Sequence, residues 1–155
     1  MFNPIILTES AGASRTFYNR DKDLIVSRLG LAIRQHINRA VIDTIDFETE
    51  TETKTDGGLE WVSDVRYTIS EERLRYESKL TVFRAFYNSE KDEVEGTPQE
   101  DYWKSPDVNW ENWLYASISE YVQVTLYTQL LYDKEIDKGG RFKETLSMGV
   151  VYKLF

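Results

Sequence analysis

One histidine, His36, and no cysteine occur in the 155 residues. A serine–histidine–carboxylate relay needs the three groups held in one hydrogen-bonded line. Ser27 and Asp23 precede His36, but no motif joins them, and a polar residue at a strand end accounts for the imidazole. Without cysteine there is no disulfide, thiolate zinc site or thiol nucleophile. Carboxylates are the remaining candidates. Asp43, Asp46, Glu48, Glu50 and Glu52 stand among threonines in a polar stretch, where alternation would put several on one face of an extended hairpin. Calcium takes roughly six to eight oxygen ligands, but the spacing is not that of an EF-hand loop. A solvated, protruding hairpin is the expectation. A second acidic loop carries Glu90, Asp92, Glu93, Glu95, Glu100 and Asp101, followed by Tyr102-Trp103 and Pro106. It reads as an ordered loop folded over a mouth, its aromatics packed on a rim or offered as a carbohydrate platform. Gly57-Gly58 and Gly139-Gly140 read as turn glycines, and neither belongs to a phosphate-cradling loop. The residues predict no enzyme, no metal and no cofactor.

Composition narrows the partners. Lys and Arg number 19 against 27 Asp and Glu, a net charge of −8, which argues against nucleic acid. No apolar run approaches the ~18 residues of a membrane helix. Aromatics reach 14% beside 30% charged residues, an unusual pairing in a chain of mean hydropathy −0.52.

The elements that must hold these residues follow a period of two. Leu59, Trp61, Ser63, Val65, Tyr67 and Ile69 alternate with Glu60, Asp64, Arg66 and Thr68. Val122, Val124, Leu126, Thr128, Leu130 and Tyr132 alternate with Gln123, Thr125, Tyr127 and Gln129. Strands are predicted near 11–18, 24–37, 58–69, 74–88, 109–119, 122–133 and 142–155. Segment 24–37 also fits a helical stripe, and the all-β context together with Gly30 favours a strand. The connections alternate between tight turns and long polar loops, the first long one running from Asp43 to Gly57. In an antiparallel meander this sorts short turns to one end and long loops to the other, the layout of an outer-membrane barrel. The fold class expected is all-β, an antiparallel up-and-down meander of about seven strands forming part of an outer-membrane β-barrel.

Three patterns bear on that expectation. Trp61, Trp110 and Tyr132, with Phe86, Tyr87, Trp113 and Phe142, gather toward the long-loop end. Tyr67, Tyr76, Tyr121 and Tyr152 gather toward the short-turn end, as interface aromatics do. The polar parity holds Arg28, Arg34, Glu60, Asp64, Arg66, Lys79 and Gln129, candidates to face a lumen. Arg84 and Glu144 break the apolar parity. At the C-terminus, Ser147, Gly149, Tyr152, Leu154 and Phe155 have the spacing of a barrel insertion signal, which implies the barrel assembly machinery as a partner.

The stretches ESAGASRTFYN, TDGGLEWVSDV, KLTVFRAFYNSE, GTPQEDYWKSPDVNWENWLYA and TLYTQLLYDKEIDKGGRFKETLSMGVVYKLF resemble the C-terminal half of a Bacteroidetes outer-membrane β-barrel family of unknown function. The resemblance runs from about Glu9 to Phe155. It implies a bacterial outer-membrane location, contact with membrane lipid, and N-terminal strands missing from this chain. It carries over no catalytic residue.

Seven strands leave two open edges, which hydrocarbon does not tolerate, and MFNPIILTES is no signal peptide. Residues 1–155 are therefore expected to form a single β-barrel domain that is a fragment of a larger barrel with a structural or transport role. The alternative is a soluble, lipocalin-like barrel holding a small apolar ligand.

Overall fold

The computed structural model describes residues 5–41, 49–70 and 73–150. Its strands are β1 (Ile5–Arg20), β2 (Asp23–Val41), β3 (Thr49–Ser70), β4 (Leu74–Asn88), β5 (Asp107–Ser117), β6 (Val122–Tyr132) and β7 (Arg141–Val150). They lie side by side in chain order as one seven-stranded sheet, each antiparallel to the next. The sheet is not closed, and β1 and β7 are its edges. Segment 24–37 is strand because β2 pairs on both sides, with β1 and with β3. Two ladders satisfy its backbone, which a helix in that place would leave its neighbours unable to match.

Antiparallel order puts the turns at 21–22 and 118–121, with the end of β3 and the start of β4, at one end of the sheet. The end of β2, the start of β3 and the connections 89–106 and 133–140 lie at the other. Asp21 takes a positive φ of 54° in the first turn. In the turn at 118–121, the backbone N–H of Ile118 donates to the carbonyl of Val122 at 2.9 Å.

Two expectations about loops are corrected. The first long connection is shorter than the stretch from Asp43 to Gly57, because β3 begins at Thr49 and its ladder with β2 continues from Val41↔Thr49 to Ile33↔Gly57. Alternating threonines are β-branched and suit an extended pairing. Gly57 and Gly58 therefore lie within β3, at a register shift against β4. Positive φ among the described residues occurs at Asp21 and Gly96, not at Gly57, Gly58, Gly139 or Gly140. At Gly58 the need is space: a Cβ would stand 2.7 Å from the Phe83 ring and 2.4 Å from the Arg84 carbonyl oxygen.

The register sorts side chains onto two faces, since directly paired residues share a face. One face is apolar: Leu29 and Leu31 of β2, Leu59 and Trp61 of β3, Leu130 of β6, and Phe142, Leu146 and Met148 of β7, all exposed. The other is polar, and it is the better buried. Ala32, Phe83 and Ala85, the buried hydrophobic core, sit on it, as do Asp56 and Asn88.

The sheet coils toward the polar face. Arg34 lies on β2, Asp107 on β5, three strand spacings apart. Asp107 pairs through Phe83 and Glu60 with Gly30, four residues from Arg34. In a flat sheet the two Cα atoms would be about 14 Å apart across and 13 Å along the strands. The Arg34 Nη1–Asp107 Oδ2 distance is 3.0 Å, which requires the strands between to bend inward. Lys54 of β3 likewise meets Glu135 of the 133–140 connection at 2.6 Å.

The β1–β2 edge is held close by paired glycines. Gly12 faces Gly30, and a Cβ on Gly30 would stand 2.4 Å from the Ala11 carbonyl oxygen and 2.8 Å from the Gly12 Cα. These are backbone atoms, so a side chain there must push the strands apart. Gly149 has nothing within 4 Å of such a Cβ. Gly30→Val should lower stability by about 1–3 kcal/mol, the usual cost of overpacking. Gly149→Val should leave it nearly unchanged, as read from urea unfolding by tryptophan fluorescence in detergent micelles.

Candidate functional site

The polar face forms a trough of about 670 Å³, lined in part by Thr8, Ser10, Ser14, Arg28, Arg34, His36, Glu60 and Lys79. Its β1 wall is small and uncharged, because the residues of β1 that share this face are Ile6, Thr8, Ser10, Gly12, Ser14 and Thr16. The rest is crossed by charge.

Arg34 is the hub. Its guanidinium lies 3.7 Å from the Phe83 ring centroid. It also meets Glu60 at 3.7 Å and Asp107 at 3.0 Å, with its side chain only 19% exposed. Around it, Arg28 pairs with Asp64, and Arg66 and Arg75 both reach Glu77, at 3.2 and 3.3 Å. Tyr127 donates to Glu111 at 2.8 Å, and Gln129 donates to Asn109 at 2.8 Å. Trp113 packs against Tyr127 with ring centroids 5.3 Å apart. The charges of this cluster are thus met by opposite charges on the same face, as desolvated polar groups require. What such a surface does chemically is hold polar side chains and solvent in a confined space.

All seven residues expected to face a lumen (Arg28, Arg34, Glu60, Asp64, Arg66, Lys79 and Gln129) share this polar face in the register. Trp61, Tyr67, Tyr76, Trp110 and Tyr132 share the apolar face, and Tyr121 is exposed in the turn after β5. Trp113 does not join the aromatics of the apolar face. It pairs with Glu77 and Tyr127 on the polar side, because its position in β5 has the parity of Glu111. Ser147 and Gly149 are on β7, while Tyr152, Leu154 and Phe155 lie outside the described residues.

His36, Ser27 and Asp23 are not brought together. His36 lines the trough. Ser27 is on the opposite face, where its hydroxyl donates to Ser63 at 3.0 Å. Asp23 accepts the backbone N–H of Thr68 at 2.8 Å. Asp43, Asp46 and Glu48 lie outside the described residues, as does the Glu50 side chain. Of the two exceptions to apolar parity, Arg84 pairs with Leu59 beyond the start of β5, at the long-loop rim. Glu144 pairs with Thr128. Thr128 continues through Asn112 to Ser78, a polar row across four strands of the apolar face. Within it Tyr76 donates to Asn112 at 2.6 Å and Trp110 to Ser78 at 2.9 Å.

The long-loop end is covered by the 89–106 connection, which contains a short 3-10 turn at Tyr102–Lys104. Trp103 packs onto the Ala32–Phe83–Ala85 cluster, so its ring is spent on packing and is no open sugar platform. Tyr102 lies beneath the ammonium groups of Lys134, at 4.7 Å, and Lys138, at 5.8 Å. The root of the loop is fixed by Asn88, which donates to Asp56 at 2.8 Å and accepts the N–H of Glu90 at 2.7 Å. Burial pushes the Glu90 carboxyl upward against the opposing pull of Lys54. The hydrogen bond from Lys104 holds Asp101 below its ordinary value.

The Arg34 cluster and the Trp103 contact escape a reading by parity. Phe83 sits on the polar parity, and that misfit beside Gly58 was the available signal for a buried aromatic under a cation.

Arg34→Met should weaken the clasp between β2 and β5. A double-mutant cycle of Arg34→Met with Asp107→Asn should give a coupling of about 1–3 kcal/mol, below the range for fully buried pairs because both groups retain some solvent. Spin labels on β2 and β5 should move apart by several ångströms in Arg34→Met.

No family model, curated protein or solved structure matches this chain.

Proposed function

We propose that this sheet is a segment of a bacterial outer-membrane β-barrel with a structural or transport role. In this reading the apolar face meets lipid and the polar face lines the interior. The observation that carries it is the direction of coiling: charges line the concave side, and exposed leucine, isoleucine and tryptophan cover the convex side. A soluble barrel with an apolar ligand inside needs the opposite curvature.

Strand length supports the same reading. β5, β6 and β7 have 11, 11 and 10 residues, and a tilted membrane strand needs about 9–11. Tyr121 and Tyr132 bracket β6. Eleven steps of about 3.3 Å at a tilt near 45° separate them by about 26 Å in height, close to the apolar band of such barrels. β2 and β3, with 19 and 22 residues, would stand out of the bilayer at the long-loop end, where the sequence of β3 becomes threonine and glutamate. Arg84 at that rim would reach the headgroups with its stem along the sheet.

The interior of this barrel is narrow. Ion pairs cross the trough, and the Trp103 loop folds into its long-loop end. Transport in this reading concerns small polar solutes, and lipid and the barrel assembly machinery are the partners.

The four tryptophans supply the test, since Trp61 and Trp110 sit on the apolar face and Trp103 and Trp113 do not. In vesicles of brominated phosphatidylcholine, the pair Trp61 and Trp110 (in Trp103→Phe/Trp113→Phe) should lose more than about half of its fluorescence. The pair Trp103 and Trp113 (in Trp61→Phe/Trp110→Phe) should lose little, because bromine quenches only at contact with lipid. Equal quenching of both pairs, or none of either, would sink the membrane reading.

A further inference from the structure

One row of charge on the polar face ends unfinished. The register lines up Asp64, Lys79, Glu111, Gln129 and Lys143 across five strands. Asp64, Lys79 and Glu111 alternate in sign, and the row then passes through the neutral Gln129 to Lys143, where the sheet stops. Arg141 is on the same face of β7, paired with Leu131. Lys143 lies 5.7 Å from the Tyr127 ring. Among the described residues, neither cation has a carboxylate partner.

The other face of β7 is equally unsupported. Leu146, Met148 and Val150 are 71–75% exposed, and the sequence around them is interrupted by Glu144. Among the described residues the far edge of the strand has no ladder, so its outward backbone N–H and C=O groups are a template for another strand.

We propose that the free edge of β7 docks one further β-strand, antiparallel to it and of defined charge. The incoming strand places carboxylates on the polar face against Arg141 and Lys143. It places apolar residues on the other face, with a hydrogen-bond donor opposite Glu144. Charge complementarity selects this occupant over a second copy of the chain. Seven is odd, so β1 and β7 run in the same direction. The β1 edge of a copy in the same orientation would meet β7 in parallel, and it offers Ser10, Gly12 and Ser14, no carboxylate, on its polar face. The β7 edge of a second copy brings two more cations and inverts one copy against the other. This inference rests on the sheet geometry and not on the membrane reading.

The full chain in detergent micelles is titrated with two fluorescein-labelled peptides of alternating apolar and polar residues, read by fluorescence anisotropy. One carries Asp at the polar positions, the other Lys. The acidic peptide should bind at least about tenfold more tightly, a difference within the reach of close charge pairs. Arg141→Glu/Lys143→Glu, two exposed edge positions, should reverse the preference. Amides of 141–150 should gain hydrogen-exchange protection on binding, and those of β1 should not. Equal affinities, an unchanged preference in the double variant, protection confined to β1, or self-association in place of peptide binding would each overturn the proposal. The quenching experiment in lipid uses neither peptide nor β7 variants, so the two ideas fail separately.

Discussion

The curvature of this sheet depends on one side chain reaching across it. Arg34 leaves β2, lies on the ring of Phe83 from β4, and closes on Glu60 of β3 and Asp107 of β5. Four consecutive strands are thereby drawn to one point. The cation gains from the ring face and from two carboxylates in a site where water is scarce, which is where such contacts are strongest. Gly58 and Ala32 leave room for it: any larger residue at Gly58 would meet the Phe83 ring. With the clasp in place the polar parity is inside. The apolar parity is then outside because nothing else is left for it.

That inversion gives meaning to features that are otherwise unrelated. The polar side chains are hydrogen-bonded to one another because they share a confined space, and the hydrophobic ones are exposed because they do not. Trp103 packs on the polar face and not the outer one because Phe83, Ala32 and Ala85 form a buried apolar patch there. The acidic character of the chain is carried largely by the connections at one end, where Glu90 to Asp101 lie, so the strands can hold near-balanced charge.

Much of the fold was legible from period two alone. Seven strands, their order and the sorting of turns from loops follow from alternation and from the spacing of polar connections, both local properties. The seven inward-facing polar residues could be named because parity is preserved along a strand. Parity fails where a strand bulges or begins early, which is why the glycines at 57–58 read as a turn and the threonine–glutamate stretch as a loop. Grouping Trp113 with the interface aromatics follows residue type against parity, which places it with Glu111 on the polar face. Which face is concave was not legible, since both curvatures give the same alternation. That was decided by contacts between residues far apart in the chain, such as Arg34 with Asp107.

Every strand of the meander pairs only with its sequence neighbours, so the ladders can grow one hairpin at a time with little loop entropy lost at each step. The Arg34–Asp107 contact is different, its partners 73 positions apart in the chain. It cannot form until three hairpins are in register, so it belongs after the rate-limiting ordering of the sheet. Interactions made that late act on the rate of unfolding and leave the rate of folding nearly untouched. The clasp is therefore a kinetic lock, setting how long the curled sheet survives once made.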